Sequence, residues 1–441
     1  MIQSNNNGES GKIGFWPSTS LVVGNIIGSG IFLLPAALAM YGGISLFGWI
    51  FTVAGTVFLA LVFSRLSKQI SRAGGPYTYS REGFGDFTGF LVAWGYWISI
   101  WCGNAAIAVA GTGYLSVFIP ALKENQFLSA GVAIGAIWLF TFINTKSIQK
   151  IGQVQVITTF IKILPLVVLG SVGLIYFNGT HFHPFNLSDE TNFDAVTATA
   201  ALTLWAFLGV ESATIPSDKV KDPVKTIPRA TIAGISIVAL LYISSTVGIM
   251  GIIAPADLQL SSAPYADAAQ LIWGKTASAL IAAGAVISCF GALNGWILLQ
   301  GQIPLAAARD KLFPALFRKL SGKGVPVIGL LVASVLASVL VSLNFTRGLV
   351  KMFSFIIMLA TLSCLLPYLF SSAAEIMLYL KKKKKYSKKQ LIKTIAVSIP
   401  ALTYSLWAIT GLEYKIILWG AILLIAGIPV FAWIKFTDKR T

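Results

Sequence analysis

Twelve stretches of this 441-residue chain are apolar over lengths that cross roughly 30 Å of hydrocarbon, and no other feature constrains its fold as tightly. They fall near 14–39, 45–64, 87–118, 127–144, 153–176, 194–215, 230–252, 277–300, 326–343, 350–379, 394–411 and 416–434. Lipid offers no water to backbone N–H and C=O groups, so each span must satisfy them internally, as helix. The expected fold class is an all-α integral membrane protein with twelve transmembrane helices. Composition agrees, since 56% hydrophobic and only 11% charged residues, with a mean hydropathy of +0.78, exclude a water-soluble domain. The 87–118 run exceeds what one upright helix needs, so it tilts strongly or extends beyond the bilayer.

A net charge of +17 suggests nucleic acid until the basic residues are placed. They gather in alternate loops, and 27 of the 33 Lys and Arg share one side if the N-terminus is cytoplasmic. The positive-inside rule then predicts a multi-pass cell membrane protein with both termini in the cytoplasm and the lipid bilayer, not nucleic acid, as its partner. The run Lys381 to Lys385 reads as a topology signal near anionic lipid. The polar opening Met1 to Lys12 precedes a run too long for a signal-peptide core, so the first span is expected to stay. Cys102, Cys289 and Cys364 all lie within apolar spans, as buried small hydrophobes rather than a disulfide framework. His181 and His183 share one external loop and are too few for a metal site, and the sequence asks for no cofactor.

Within the first span, Gly24-Asn25-Ile26-Ile27-Gly28-Ser29-Gly30-Ile31-Phe32 invites a break where lipid should demand unbroken helix. Backbone freed at that depth is tolerated only where it lines a cavity or holds a ligand. Spans one to five and six to ten overlay as halves of opposite topology, because an odd number of crossings inverts the second copy. The sixth span is likewise interrupted, at Gly209 within Trp205-Ala206-Phe207-Leu208-Gly209-Val210-Glu211. Two broken helices at corresponding positions point to a transporter's binding site, although glycine also serves close helix contacts. The expected organisation is a tail at 1–13, a first inverted repeat at 14–176, a second at 194–379, two peripheral helices at 394–434 and a tail at 435–441.

Four segments carry a family resemblance: GNIIGSGIFLLP at 24–35, Gly74-Gly75-Pro76-Tyr77-Thr78-Tyr79, LWAFLGVESA at 204–213, and Asp222-Pro223-Val224-Lys225-Thr226-Ile227-Pro228-Arg229-Ala230. In order and spacing they resemble the amino acid-polyamine-organocation superfamily of transporters. The chain is most similar to its basic amino acid/polyamine antiporters, such as arginine/agmatine and lysine/cadaverine exchangers, over about 13–435. The resemblance implies a 5+5 inverted-repeat core with discontinuous helices 1 and 6, alternating access, an amino acid or amine substrate, and a homodimer.

The chemistry of the breaks is intelligible from the residues. A zwitterionic amino acid presents a carboxylate and an ammonium, and a broken helix offers N–H groups with a positive dipole end for one and free carbonyls for the other. By resemblance, Ser29 and Gly30, beside Gly28, receive the carboxylate, while the carbonyls of Ile26, Trp205 and Leu208 receive the amine. Tyr96, Ile100 and Asn104 recur at a spacing of four and share one face of span three, with Ser99 beside them. In the antiporters this face and a tryptophan matching Trp296 hold the side-chain cation, and Trp205 matches a gate. Ala360 and Ile100 stand where the arginine exchangers carry serine and cysteine.

Glu211 is a carboxylate near mid-membrane, where insertion costs roughly 2.5–3.5 kcal/mol, which marks it as functional. It is either a proton site or a gate that pairs with Tyr96 and Tyr368, as its family counterpart does. Lys162 interrupts the apolar run of span five. Some superfamily members carry a lysine there that resembles a replacement for the sodium ion of related carriers, so a coupling or surrogate-cation role is expected. The leading expectation is a sodium-independent exchanger of a cationic amino acid for a related amine or amino acid. The alternative is proton-coupled uptake of a neutral amino acid. A channel would need a repeated filter motif, and an enzyme would need clustered catalytic groups with a nucleophile beside a base; the sequence offers neither.

Overall fold

The computed structural model describes residues 14–28, 30–70, 74–146, 163–213, 220–381 and 387–438. In chain order the helices are α1 (Phe15–Ile26), α2 (Leu34–Ala39), α3 (Ser45–Gln69), α4 (Pro76–Phe84), α5 (Asp86–Leu115), α6 (Ala121–Glu124), α7 (Gln126–Lys146) and α8 (Ile163–Val172). They continue with α9 (Asn192–Leu204), α10 (Pro223–Ile252), α11 (Pro255–Leu258), α12 (Pro264–Trp273) and α13 (Lys275–Arg309). The last are α14 (Val327–Asn344), α15 (Leu349–Lys381), α16 (Lys388–Thr410), α17 (Tyr414–Ile425) and α18 (Gly427–Asp438).

Among the described residues nine helices are long and apolar enough to cross a membrane. They correspond to nine of the twelve spans expected from the apolar runs, and the shortfall has a physical reason. The runs at 14–39 and 194–215 do not form continuous helices: α1 stops at Ile26 and α2 begins at Leu34, while α9 gives way to a 3-10 turn at Trp205–Phe207 and a second at Val210–Ala213. The run at 153–176 begins outside the described residues.

At the centre lies α5, with 89% of an 18-residue window buried against other helices, so it has almost no lipid face. It has 30 residues, longer than the roughly 20 a span needs, as the length of the 87–118 run anticipates. Close packing against α13 uses a small residue, Gly111, with Phe290 seated against it. At the periphery, the Tyr414–Thr437 span has only 17% of its window buried and is free to face lipid.

One end of the bundle is tied by polar contacts around α4. The Tyr77 hydroxyl donates to Asp310 Oδ2 at 3.2 Å, Arg81 pairs with Asp86 at 2.8 Å and with Asp310 at 3.5 Å, and Lys435 reaches Asp86 at 2.6 Å. Each ion pair is partly exposed, so together they steer helix ends more than they stabilise them. Burial first, and then the Asp310 carboxylate, push the Tyr77 hydroxyl up to about 12, which keeps it a donor. A second tie joins α3 to α15 and α16. Arg65 lies 3.7 Å from the buried Glu375 and donates to the Lys393 carbonyl at 2.9 Å, and Ser398 donates to Glu375 Oε2.

Candidate functional site

Both interrupted helices break at one place in the bundle, and tyrosine hydroxyls take two carbonyls freed in the first break. The Ile26 carbonyl, last of α1, accepts from the Tyr242 hydroxyl of α10 at 3.3 Å. The Phe32 carbonyl accepts from Tyr114 of α5 at 2.8 Å, whose oxygen in turn takes the Tyr265 N–H at 3.2 Å. Burying such a carbonyl without a donor costs about 1–3 kcal/mol, so these hydroxyls make the break tolerable in lipid. In the second break, Leu208 leaves the helical region and Gly209 follows at φ 106°, a left-handed conformation that favours glycine. The chain then turns directly into Val210–Ala213.

The two breaks meet through a tryptophan. A Cβ added at Gly30 would collide with the Trp205 indole nitrogen, and one added at Gly103 would stand 3.0 Å from Trp205 Cη2. Trp205 thus bridges the first break and α5 edge to edge, over glycines that leave it room. Its Nε1–H is buried and has no hydrogen-bond partner among the described residues.

Around this indole lies a cavity lined by Ile26, Gly28, Gly30, Ser99, Gly103, Ile107, Trp205, Ala206, Leu208 and Trp296. Its free space is about 30 Å³, room for one or two waters. Seven residues expected at the site are therefore on one wall: Ile26, Gly28, Gly30, Ser99, Trp205, Leu208 and Trp296. The Ile26 carbonyl takes the Tyr242 hydroxyl, and the Trp205 carbonyl takes the Leu208 N–H at 3.2 Å. Each retains a second lone pair for a further donor.

Four expected residues are not on that wall: Tyr96, Ile100, Asn104 and Ala360, all of them buried. The stripe of α5 that faces the cavity is Ser99, Gly103 and Ile107, one residue away from the stripe of Ile100 and Asn104. A spacing of four identifies a helical stripe but does not choose between adjacent stripes when both are buried. Gly103 and Ile107 were missed for that reason, while Ala206 lies in the second break beside Trp205; the only signal for Gly103 is its fourfold spacing from Ser99. Asn104 instead donates to Gln300 Oε1 at 2.7 Å. Ser29 and Lys162 lie outside the described residues.

Glu211 is buried and receives three donors: Tyr96 Oη on Oε1 at 2.7 Å, Tyr368 Oη on Oε2 at 2.6 Å, and the Gly209 N–H on Oε2 at 3.2 Å. One carboxylate so ties α5, α15 and the second break together. Tyr368 packs edge-on to Phe63 of α3, at 5.5 Å between centroids, which carries the contact to a fourth element. The three cysteines are buried and form no disulfide among the described residues, and His181 lies 3.3 Å from the Met250 carbonyl. No group of three potential metal ligands occurs among the described residues.

Comparison with known proteins agrees with this architecture. The profile of the amino acid permease family matches residues 13–435. The chain is 36% identical over 370 residues to a cadaverine/lysine antiporter of Escherichia coli K12, covering 82% of each chain. It is 33% identical to a putative arginine/ornithine antiporter of Bacillus subtilis, over 97% of this chain and 98% of the relative. The putrescine transporter PotE of Haemophilus influenzae is 30% identical over the same shares. Among solved structures, Mhp1, a nucleobase-cation-symport-1 family transporter in a closed conformation, superposes with a TM-score of 0.56 over 99% of this chain and 96% of its own, at 12% identity. That likeness concerns the fold, whereas the family profile spans nearly the whole sequence: the chain belongs to the amino acid permease family.

Proposed function

We propose that this permease exchanges a cationic amino acid for a related amine or amino acid by alternating access, without sodium. The carrying observation is the pair of broken helices that face one cavity across the Trp205 indole. Backbone N–H groups of the first break, with Ser29 and Gly30, take the substrate carboxylate, and the carbonyls of Ile26, Trp205 and Leu208 take its amine. Trp296 offers a ring face to the side-chain cation, an attraction of roughly 0.5–2 kcal/mol. Relatives named for lysine, cadaverine, putrescine, arginine and ornithine support substrates with a basic side chain.

Glu211 is the gate in this reading. While Tyr96 and Tyr368 donate to it, α5, α15 and the second break are held together, and parting them opens the cavity to one side of the membrane. The architecture we propose has twelve spans, with two five-helix repeats at 14–176 and 194–379, peripheral helices at 394–434 and both termini cytoplasmic. In this reading Lys162 serves as the coupling cation, which removes the need for sodium.

Counterflow in liposomes tests the proposal. Radiolabelled lysine should enter vesicles loaded with lysine, arginine or cadaverine and stay out of empty ones. Uptake into empty vesicles driven by a pH gradient, with no stimulation by internal substrate, would replace exchange by proton symport.

A further inference from the structure

Beside the cavity, four buried side chains on four helices form a relay whose direction is fixed throughout. Thr141 of α7 donates to its own helix, at the Ile137 carbonyl, over 2.7 Å. Its single proton being used, its oxygen can only accept from Ser334 of α14, 2.6 Å away. Ser334 therefore presents a lone pair to Gln300 Nε2 of α13 at 2.8 Å, and the same nitrogen donates to the Leu330 carbonyl at 3.1 Å. Both acceptors demand the NH₂ end of Gln300, so its oxygen must point the other way, toward Asn104 of α5. Asn104 answers with Nδ2 at 2.7 Å. The Trp97 indole, donating to the Gln300 backbone carbonyl at 3.1 Å, keeps that turn of α13 against α5.

The relay ends on an unmatched group. Asn104 is fully buried, and its Oδ1 has no hydrogen-bond partner among the described residues. An amide free to turn would spread its donors and its acceptor over the available partners, whereas this one is held with only its acceptor to spare. Asn104 follows Gly103, which is on the cavity wall, and that wall must widen before anything larger than one or two waters enters.

We propose that Gln300 is a positioning residue for selectivity. Through the Thr141–Ser334–Gln300 relay it locks Asn104 so that the widened cavity presents an oxygen acceptor, which favours a substrate side chain ending in N–H donors, an ammonium or guanidinium, over an apolar one. This rests on the cationic-substrate reading above and adds the residues that enforce it. A hydroxyl or thioether side chain gives fewer donors or none, and a carboxylate is repelled.

The test compares lysine with norleucine, which shares the carboxylate, the α-amine and the four-carbon chain but lacks the terminal ammonium. Dissociation constants are measured by titration calorimetry on the purified full chain, and their ratio isolates the side-chain end. Gln300→Leu should lower the lysine preference about tenfold or more, the loss expected for a hydrogen bond to a charged group. Ser334→Ala, which leaves the Leu330 carbonyl to hold Gln300, should lower it only a few-fold. In an Asn104→Ala background, Gln300→Leu should have no further effect on the ratio. An unchanged ratio in Gln300→Leu overturns the relay; should that variant not fold, unchanged ratios in both Ser334→Ala and Thr141→Val overturn it equally. A wild-type protein that binds norleucine as well as lysine defeats the cationic-substrate reading itself, a result separate from loss of the relay.

Discussion

Tyr96 and Tyr368, on helices α5 and α15, share one acceptor: their hydroxyls meet the two oxygens of Glu211 at 2.7 and 2.6 Å. The carboxylate is the clasp between two otherwise continuous helices and a broken one. Glu211→Ala leaves both buried hydroxyls without it, at a cost of about 1–3 kcal/mol each. Exchange in liposomes should fall at least tenfold, while substrate affinity measured by calorimetry changes less. Equal losses in both would place Glu211 in direct contact with substrate instead.

Gly30 is held to glycine by its neighbour. Gly30→Ala drives a methyl into the Trp205 indole, an overpacking cost of about 1–3 kcal/mol concentrated where the two breaks meet. Exchange of lysine in liposomes should slow about tenfold or more, because each cycle passes through this packed state, with a well-folded protein by size-exclusion profile and helical circular dichroism. An unaffected exchange rate would show that Trp205 moves aside without cost.

For Trp296 the ring matters more than its size. Trp296→Phe and Trp296→Tyr retain a π face, so the affinity for a cationic substrate should drop only a few-fold, whereas Trp296→Leu should lose about threefold to thirtyfold. Equal affinity across the three variants would take the side chain out of cation binding.

Lys162 offers a discriminating ion test. Lys162→Ala should impair exchange, or should make it depend on sodium, when rates are measured in sodium and in choline buffers. Unchanged rates with unchanged ion dependence would dismiss the surrogate-cation role.

Tyr77 supplies a pH dependence. Its hydroxyl is raised from 10.0 to about 12, so the folded state holds the proton more tightly than the unfolded chain. The stabilising contribution is complete below pH 10 and declines as pH rises toward 12. Tyr77→Phe should melt below wild type at neutral pH, and that difference should shrink between pH 10 and 12 in thermal unfolding scans.

Much of this was legible in the sequence because lipid enforces simple rules. Apolar length located nine crossing helices, and glycines inside apolar runs located both interruptions. What the runs could not convey is that a break removes a span from any count based on helix length, as at Ile26 and Leu204. The cavity-lining residues of the broken backbone were legible for a related reason: Gly28, Gly30 and Leu208 line it where the chain itself bends. On α5 the stripe lining the present cavity is Ser99, Gly103 and Ile107, whereas the reading named Ser99 with the neighbouring stripe of Ile100 and Asn104. That helix is buried on nearly every side, so no polar face orients it, and rotation about its axis is set by partners such as Gln300 and Trp205 that periodicity does not reveal. Gln300 itself, a polar residue in an apolar run, gave a signal in composition but none in spacing.

The narrowness of the cavity at Trp205 has a thermodynamic consequence. A chamber with room for one or two waters is incompatible with a bound lysine, so this conformation takes no part in binding, and every molecule that dwells in it is withdrawn from the competent population. If the widened form is a fraction f of the ensemble, the measured dissociation constant equals the intrinsic one divided by f. Variants that trim Trp205 or loosen its seat on Gly103 would then tighten apparent affinity while slowing turnover, since a carrier that rests open has lost the closed state through which each cycle must pass.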